Sequence, residues 1–119
     1  MNREIKFRAW NEVSEKMLNW YDFLDTNMKN TFIAPENTGL ILMQYTGLHD
    51  KNGKEIYEGD ILKVYYKGMS EVGYVEYDND YCEYKIIISA NKDYFSLWKN
   101  IDLEKIGNIY DNPELLGGE

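Results

Sequence analysis

The sequence contains few of the side chains from which common catalytic and metal sites are built. It has one cysteine, Cys82, and one histidine, His49, among its 119 residues. A structural zinc site needs about four Cys or His ligands, so the composition excludes one. A cysteine hydrolase would need this pair to meet beside an orienting carboxylate. A half-buried strand cysteine and a surface turn histidine are the simpler interpretation, and the single cysteine also excludes an internal disulfide.

Phosphate-binding and calcium-binding signatures are missing as well. The nine glycines never form Gly-x-Gly, and neither a P-loop nor a Gly-x-Ser-x-Gly elbow occurs. The acidic turns at 78–80 and 50–53 begin like calcium loops, but their twelfth positions hold Ser89 and Ile61 where a bidentate acid is required. We therefore expect no metal, no cofactor and no catalytic residues, and we expect that the protein is not an enzyme.

Long apolar segments do not occur either. The longest uninterrupted run, Leu40–Met43, is far shorter than the roughly 20 residues that a membrane-spanning helix requires. The first residues interleave charged and apolar side chains and lack the apolar core of a secretion signal. Together with the single cysteine, this pattern predicts a soluble cytoplasmic protein that has no membrane partner.

Basic charge is scarce relative to acidic charge. Thirteen Lys and Arg residues stand against 21 Asp and Glu residues, which gives a net charge of −8. That sign opposes binding to a phosphate backbone and disfavours nucleic acid as a partner. The one local basic cluster contains Arg3, Lys6 and Arg8. On a strand Lys6 and Arg8 share one face, which we expect to be solvated.

Aromatic residues, by contrast, are abundant. They make up 15% of the chain and include eleven tyrosines, whereas proline occurs only twice, and this balance favours β-sheet. Period-two patterns and turn residues predict strands at 4–10, 17–24, 39–45, 61–66, 72–77, 84–89 and 106–110. The interval 25–37 is predicted to be a loop, residues 95–103 a short helix and 113–116 a short helical tail.

Strands that recur about every ten residues with turns between them are typical of a small barrel or sandwich. We therefore predict a mostly β fold with short helices at most, built around a small SH3-like or related β-barrel. The whole chain, 1–119, is expected to form a single domain. An N-terminal β subregion, 1–38, would pack on a barrel-like β core, 39–119.

Three consecutive isoleucines, Ile86 to Ile88, lie in one predicted strand. Such a run indicates either burial of both sheet faces or an oligomer contact on one of them. The number of aromatic residues also exceeds what a small core can cover. On these two signals we expect a homo-oligomer.

The hairpin predicted at 61–77 combines exposed-type aromatics with basic residues. Small barrels bind single-stranded nucleic acid through such aromatic rings framed by Lys and Arg. The alternative is that these tyrosines are sheet packing and cross-strand pairs. With that alternative open, the candidate binding surface comprises Lys63, Tyr65, Tyr66, Lys67, Tyr74 and Tyr77.

The most distinctive stretch of the sequence is Met43–Ile61, with the series Met-Gln-Tyr-Thr-Gly-Leu, Asp-Lys-Asn-Gly-Lys-Glu-Ile-Tyr and Glu-Gly-Asp-Ile. This stretch resembles the YopX family of phage and prophage proteins. Three further blocks, Ile5–Trp10, Gly73–Val75 and Ile106–Leu116, are similar to family elements in the same order. The chain departs from the family pattern at Asn11, where Asp is expected, and both residues suit a turn.

The resemblance implies a small, mostly β protein encoded by a phage or prophage of low-GC Gram-positive bacteria. The family has no established activity, so it offers no catalytic residues to carry over. We expect an accessory protein of the host cytoplasm that acts by binding an unidentified host or phage protein, or a second copy of itself, without catalysis. The alternative is a single-stranded nucleic-acid-binding factor in phage replication or recombination.

Overall fold

The computed structural model describes residues 3–97 and 102–117. The fold is mostly β, with 49% strand and 16% helix, which confirms the predicted fold class. The chain divides into two compact units, Met1–Tyr45 and Thr46–Glu119. The sequence placed its subregion boundary at residue 38, whereas the units divide within a strand that continues from one to the other.

The first unit is a small antiparallel sheet with two short helices. Strand β1 lies between β2 and the first part of β3, and Ala9 faces Leu18 on one side and Leu42 on the other. Its buried core contains Ala9, Phe23 and Leu40. The elements are β1 (Phe7–Asn11), β2 (Lys16–Leu18), α1 (Trp20–Leu24), α2 (Met28–Ile33), a 3-10 helix (Pro35–Asn37) and β3 (Leu40–His49).

The strand predicted at 17–24 is wrong beyond its first two residues. Lys16–Leu18 is a strand, but the aromatic run that follows is helix α1. The side chain of Asn19 accepts a hydrogen bond of 2.8 Å from the backbone N–H of Asp22 and caps the helix. An aromatic-rich run reads as strand from composition alone, whereas the cap and the burial of Phe23 favour a helix here.

The loop predicted at 25–37 is also wrong, because this interval contains α2 and the 3-10 helix. Asn27 accepts a hydrogen bond of 3.2 Å from the N–H of Asn30, so an asparagine taken as a loop signal is a helix cap. The ring of Phe32 meets Phe7 edge-on with 5.2 Å between centroids and Phe23 with 5.7 Å. These contacts anchor α2 to the core of the first unit.

The solvated face predicted for Lys6 and Arg8 is wrong for Arg8, which is only 6% exposed. The reason is that Arg8 lies on the central strand of this sheet, with a neighbouring strand on each side. Lys6 is half-buried, and its Nζ lies 3.4 Å from Glu4 and 5.0 Å from the ring centroid of Tyr45. The basic cluster is therefore not an open basic patch.

The second unit contains a five-stranded antiparallel sheet of order β8-β7-β6-β5-β9, curled into a half-barrel. The last part of β3 pairs with β4 beside it. The elements are β4 (Glu55–Tyr57), β5 (Asp60–Tyr66), β6 (Met69–Asp78), β7 (Glu83–Ile88), β8 (Tyr94–Ser96), β9 (Asp102–Asn108) and a 3-10 helix (Pro113–Leu116). The hairpin predicted at 61–77 and the helical tail at 113–116 are confirmed.

One face of this sheet covers the larger core. Leu62 lies opposite Gly73, Gly73 opposite Ile88, and Val64 opposite Leu103, so the same face continues across four strands. The sheet leaves no room for a side chain at position 73, where a Cβ would lie 2.5 Å from the carbonyl oxygen of Ile87. The buried residues of this core are Ile56, Leu62, Val64, Val75, Ile86, Ile88 and Leu103.

The consecutive isoleucines alternate as an ordinary strand does. Ile86 and Ile88 are buried in the core, while Ile87 is half-buried on the opposite face. The run therefore reflects strand burial on one face and partial cover on the other.

The helix predicted at 95–103 is wrong wherever the structure describes it, and residues 98–101 lie outside the described range. Tyr94–Ser96 is β8, and β9 begins at Asp102. Leu97 and Leu103 both pack on the larger core, Leu103 as the strand partner of Val64. Their spacing imitates a helical period although the chain reaches the core through two different strands.

Candidate functional site

The hairpin tip, which we define as Tyr65–Ser70, is held by a two-residue turn. Tyr66 and Met69 form the last cross-strand pair of β5 and β6. Between them Lys67 and Gly68 both have positive φ, at 50° and 78°. This is the conformation of a type I′ turn, whose twist matches that of the strands it joins. The tip is therefore a short and well-defined projection of the sheet.

An open cleft of about 370 Å³ lies at this tip. It includes Asp102, the first residue of β9, because β9 pairs with β5 and sets Asp102 opposite Tyr65. Ser70 lies opposite Tyr65 on the other side, so these three side chains form one cross-strand row. The complete lining is Tyr65, Tyr66, Lys67, Gly68, Met69, Ser70 and Asp102.

Tyr65 is fixed on its side of the cleft by polar contacts. Its hydroxyl donates a hydrogen bond of 2.8 Å to Oε1 of Glu104, the strand neighbour of Lys63. This hydrogen bond raises the pKa of Tyr65 because ionisation would place two negative charges side by side. The Nζ of Lys51 lies 4.3 Å from the ring centroid and that of Lys63 5.6 Å. The ring is thus half-buried and already in contact with cations.

Tyr66 and Met69 are the exposed apolar part of the tip. Tyr66 is 44% exposed and Met69 68% exposed. One side of Tyr66 packs on Phe95 with 5.5 Å between ring centroids, and the Nζ of Lys67 lies 5.3 Å from the Tyr66 centroid. Partial packing on Phe95 orients the tyrosine while leaving much of its surface accessible.

The six residues predicted from the sequence do not form one surface. Tyr65, Tyr66 and Lys67 line the cleft, and Lys63 borders it through the ring of Tyr65. Lys63 and Tyr65 alternate with the core residues Leu62 and Val64, so they lie on the face opposite the core.

Tyr74 and Tyr77 lie farther along β6. Tyr74 is half-buried opposite Ile61, and burial raises its pKa. The Tyr77 ring meets Tyr84 edge-on at 5.1 Å, and a contact with the Cys82 side chain raises the pKa of Tyr77. Both make the cross-strand contacts expected of sheet packing.

Sequence reasoning missed Met69, Ser70 and Asp102. Met69 and Ser70 continue the predicted hairpin and were detectable from the Lys-Gly turn signal. Asp102 was assigned to the helix predicted at 95–103, and its position beside Tyr65 follows only from the pairing of β9 with β5.

A second cluster surrounds Lys85, which is 7% exposed. Its ammonium forms an ion pair with Asp78 and lies 4.0 Å from the ring centroid of Tyr94 and 4.7 Å from that of Tyr81. The hydrogen bond between the two charged groups raises the pKa of Lys85 and lowers that of Asp78. Because this cation is already matched by a carboxylate and two rings, the cluster stabilises the fold.

The remaining candidate side chains stand apart. Cys82 is exposed in a turn and has a positive φ of 54°. Across residues 3–97 and 102–117, no group of three or more His, Cys, Asp or Glu side chains is arranged to hold a metal ion. In that same part of the chain, no helix is long and apolar enough to cross a membrane.

These features define a class: a small, mostly β protein whose most accessible recognition feature is a β-hairpin tip beside a half-barrel sheet. The family model described as YopX protein matches residues 6–117, almost the whole chain. The chain therefore belongs to the YopX family, as the resemblance of the Met43–Ile61 stretch indicated.

Two solved structures are similar to this chain over nearly their whole length. The crystal structure of protein EF1440 from Enterococcus faecalis has 26% identity and a TM-score of 0.57, and the match covers 97% of this chain and 99% of that one. Protein yopX from Bacillus subtilis has 23% identity and a TM-score of 0.60, covering 92% and 96%. No curated protein matches the chain.

Proposed function

We propose that this chain is a phage- or prophage-encoded accessory protein that acts by binding a protein partner in the cytoplasm of a bacterial host, without catalysis. The observation that carries the proposal is the hairpin tip, where Tyr66 and Met69 are exposed beside an open cleft. Tyrosine and methionine are enriched at protein interfaces and depleted on ordinary surface. Family membership supports the phage setting.

The tip also suits binding energetically. Its two-residue turn and the packing of Tyr66 on Phe95 limit the conformational freedom that binding would remove. A central aromatic anchor of this kind typically contributes about 2 kcal/mol or more when a partner covers it. Two exposed side chains beside a cleft therefore make a compact anchoring surface.

The proposal is tested by affinity capture from the lysate of a Gram-positive bacterial host. We expect the wild-type chain to retain a specific protein that the double variant Tyr66→Ala, Met69→Ser does not retain. Tyr21→Ala is the matched control, because Tyr21 is 77% exposed but lies in the first unit. Equal capture by the double variant, or equal loss in the control, would show that the tip is not the interface.

A second copy of the chain is a further proposed partner. Exposed apolar side chains support it, among them Phe32 and Ile33 on α2, at 45% and 73% exposed. We expect light scattering at tens of micromolar to report a mass above that of the monomer. A strict monomer under those conditions would remove the homo-oligomer from the proposal.

Single-stranded nucleic acid is the alternative, and the lysines beside tyrosine rings are the observation that favours it. Lys63 lies near Tyr65, Lys67 near Tyr66 and Lys92 near Tyr74, at 5.6, 5.3 and 6.0 Å from the ring centroids. This alternative predicts oligonucleotide binding that weakens with salt and with Lys63→Glu or Tyr66→Ala. Binding unchanged in both variants would reject the hairpin as a nucleic-acid site.

A further inference from the structure

The cleft at the hairpin tip combines an exposed carboxylate with two aromatic rings. We propose that it binds an arginine side chain presented by the protein partner. This inference rests on the proposed function and names the chemistry that the partner brings to the tip.

The carboxylate is Asp102, which is exposed at the start of β9. Other aspartates of the same sheet are paired with cations: Asp78 with Lys85 and Asp60 with Lys105. Among the residues that the structure describes, no cationic side chain forms an ion pair with Asp102. Its carboxylate is therefore available in the cleft as an acceptor for a ligand cation.

The rings of this cleft already bind cations from the chain itself. The ammonium of Lys51 lies 4.3 Å from the centroid of Tyr65, and that of Lys67 lies 5.3 Å from the centroid of Tyr66. Both separations are within the range of a cation–π interaction. The fold thus shows that these two rings attract positive charge, and Tyr66 remains 44% exposed for a second contact.

Arginine fits this combination better than lysine does. Its planar guanidinium donates two parallel hydrogen bonds to one carboxylate and also stacks on an aromatic ring. Lysine, a compact and strongly hydrated charge, makes one of these contacts at a time. Met69, 68% exposed on the cleft wall, offers apolar and polarizable surface to the arginine stem.

Lys67 opposes this ligand. Its side chain is exposed, and its ammonium occupies the ring of Tyr66 while adding a like charge to the cleft. A partner arginine would have to displace it. Removing the Lys67 charge should therefore strengthen arginine binding, whereas an anionic ligand would lose its only cation in the cleft lining.

The test is a titration of the full chain with N-acetyl-arginine amide, followed by ¹H–¹⁵N NMR at Gly68, Met69 and Ser70. We expect saturable shifts confined to the tip, with a Kd of roughly a millimolar for a ligand of this size. N-acetyl-lysine amide should bind at least about fivefold more weakly. Lys67→Met should lower the Kd several-fold.

The variant that tests the carboxylate is Asp102→Asn, which removes the charge and keeps the shape. It should abolish the saturable shifts, while Asp93→Asn, an exposed aspartate outside the cleft, should leave them unchanged. Tyr66→Leu should weaken binding independently. Shifts that survive Asp102→Asn, equal shifts with N-acetyl-glutamate amide, or no saturable shift would each overturn the proposal.

Failure of this inference can be told apart from failure of the proposed function. A captured partner that depends on Tyr66 and Met69 but not on Asp102 would keep protein binding at the tip and remove the arginine. Arginine-specific shifts at the tip without any captured partner would support the arginine site and remove the proposed protein-binding function.

Discussion

Single residues in this protein carry structural roles that their chemical type does not reveal. Gly73 has no positive φ printed against it, yet it is required by close packing between β6 and β7. Asp78 and Lys85 are a charged pair on the sheet, where two tyrosine rings also contact the lysine. At this scale, contacts with adjacent strands determine which substitutions the protein tolerates.

The substitution Gly73→Ala should destabilise the protein by about 2 kcal/mol, with a range of roughly 1–3 kcal/mol. The added Cβ would lie 2.5 Å from the carbonyl oxygen of Ile87 and 2.8 Å from Cγ2 of Ile86, so β7 must move. Urea unfolding followed by circular dichroism measures the loss. Ser70→Ala, an exposed change on the same strand, should stay within about 0.5 kcal/mol. An unchanged midpoint for Gly73→Ala would contradict this packing.

Turns hold the elements of the second unit in register. The Asp50 side chain accepts backbone N–H bonds from Asn52 at 2.8 Å and Lys54 at 2.9 Å within its own turn. Its other oxygen accepts the N–H of Lys105 at 2.9 Å and so connects the turn to β9. The distinctive family stretch therefore contains a turn that fixes the position of a strand fifty-five residues later.

Asp50→Asn should cost about 1–3 kcal/mol, because the amide NH₂ would face the Lys105 N–H and leave that donor without an acceptor. The remaining oxygen would keep the two hydrogen bonds inside the turn, so the loss belongs to the connection with β9. Amide hydrogen exchange at Lys105 should accelerate in this variant. Asp80→Asn, an exposed aspartate in another turn, is the control and should change neither stability nor exchange.

The acidity of the whole molecule makes its stability depend on pH at the acidic end. Asp50 and Asp78 both have lowered pKa values in the folded protein. For Asp50, burial alone would raise the pKa, but three backbone N–H hydrogen bonds outweigh it. For Asp78, the hydrogen bond with Lys85 is the main cause. Because the unfolded chain binds protons more readily, protonation of these groups favours unfolding.

We expect the free energy of unfolding to be maintained above pH 3.8, the unperturbed aspartate value, and to fall as the pH drops through the lower folded pKa values. Urea unfolding between pH 6 and pH 2.5 measures this slope. Asp78→Asn keeps the turn acceptor but removes the titrating group, so its acid slope should be shallower. An identical slope in that variant would show that the Asp78–Lys85 pair does not contribute.

The sequence by itself determined the features that rest on local chemistry. Alternating residues and a Lys-Gly turn specified the hairpin of β5 and β6, Pro113 started a helical turn, and the Met43–Ile61 stretch indicated the family. Each of these depends on neighbours within a few residues, where backbone geometry restricts the options. Half of the candidate surface, Tyr65, Tyr66 and Lys67, was also placed correctly at the cleft.

Only the tertiary structure decided the features that depend on partners distant in sequence. Asp102 joins the cleft because β9 pairs with β5, thirty-seven positions away at Tyr65, and no local pattern records that register. Arg8 is buried because its strand is central, and the run at 20–24 is helical because Asn19 caps it and Phe23 enters a core. Long-range pairing and core packing outweigh intrinsic propensity at these positions.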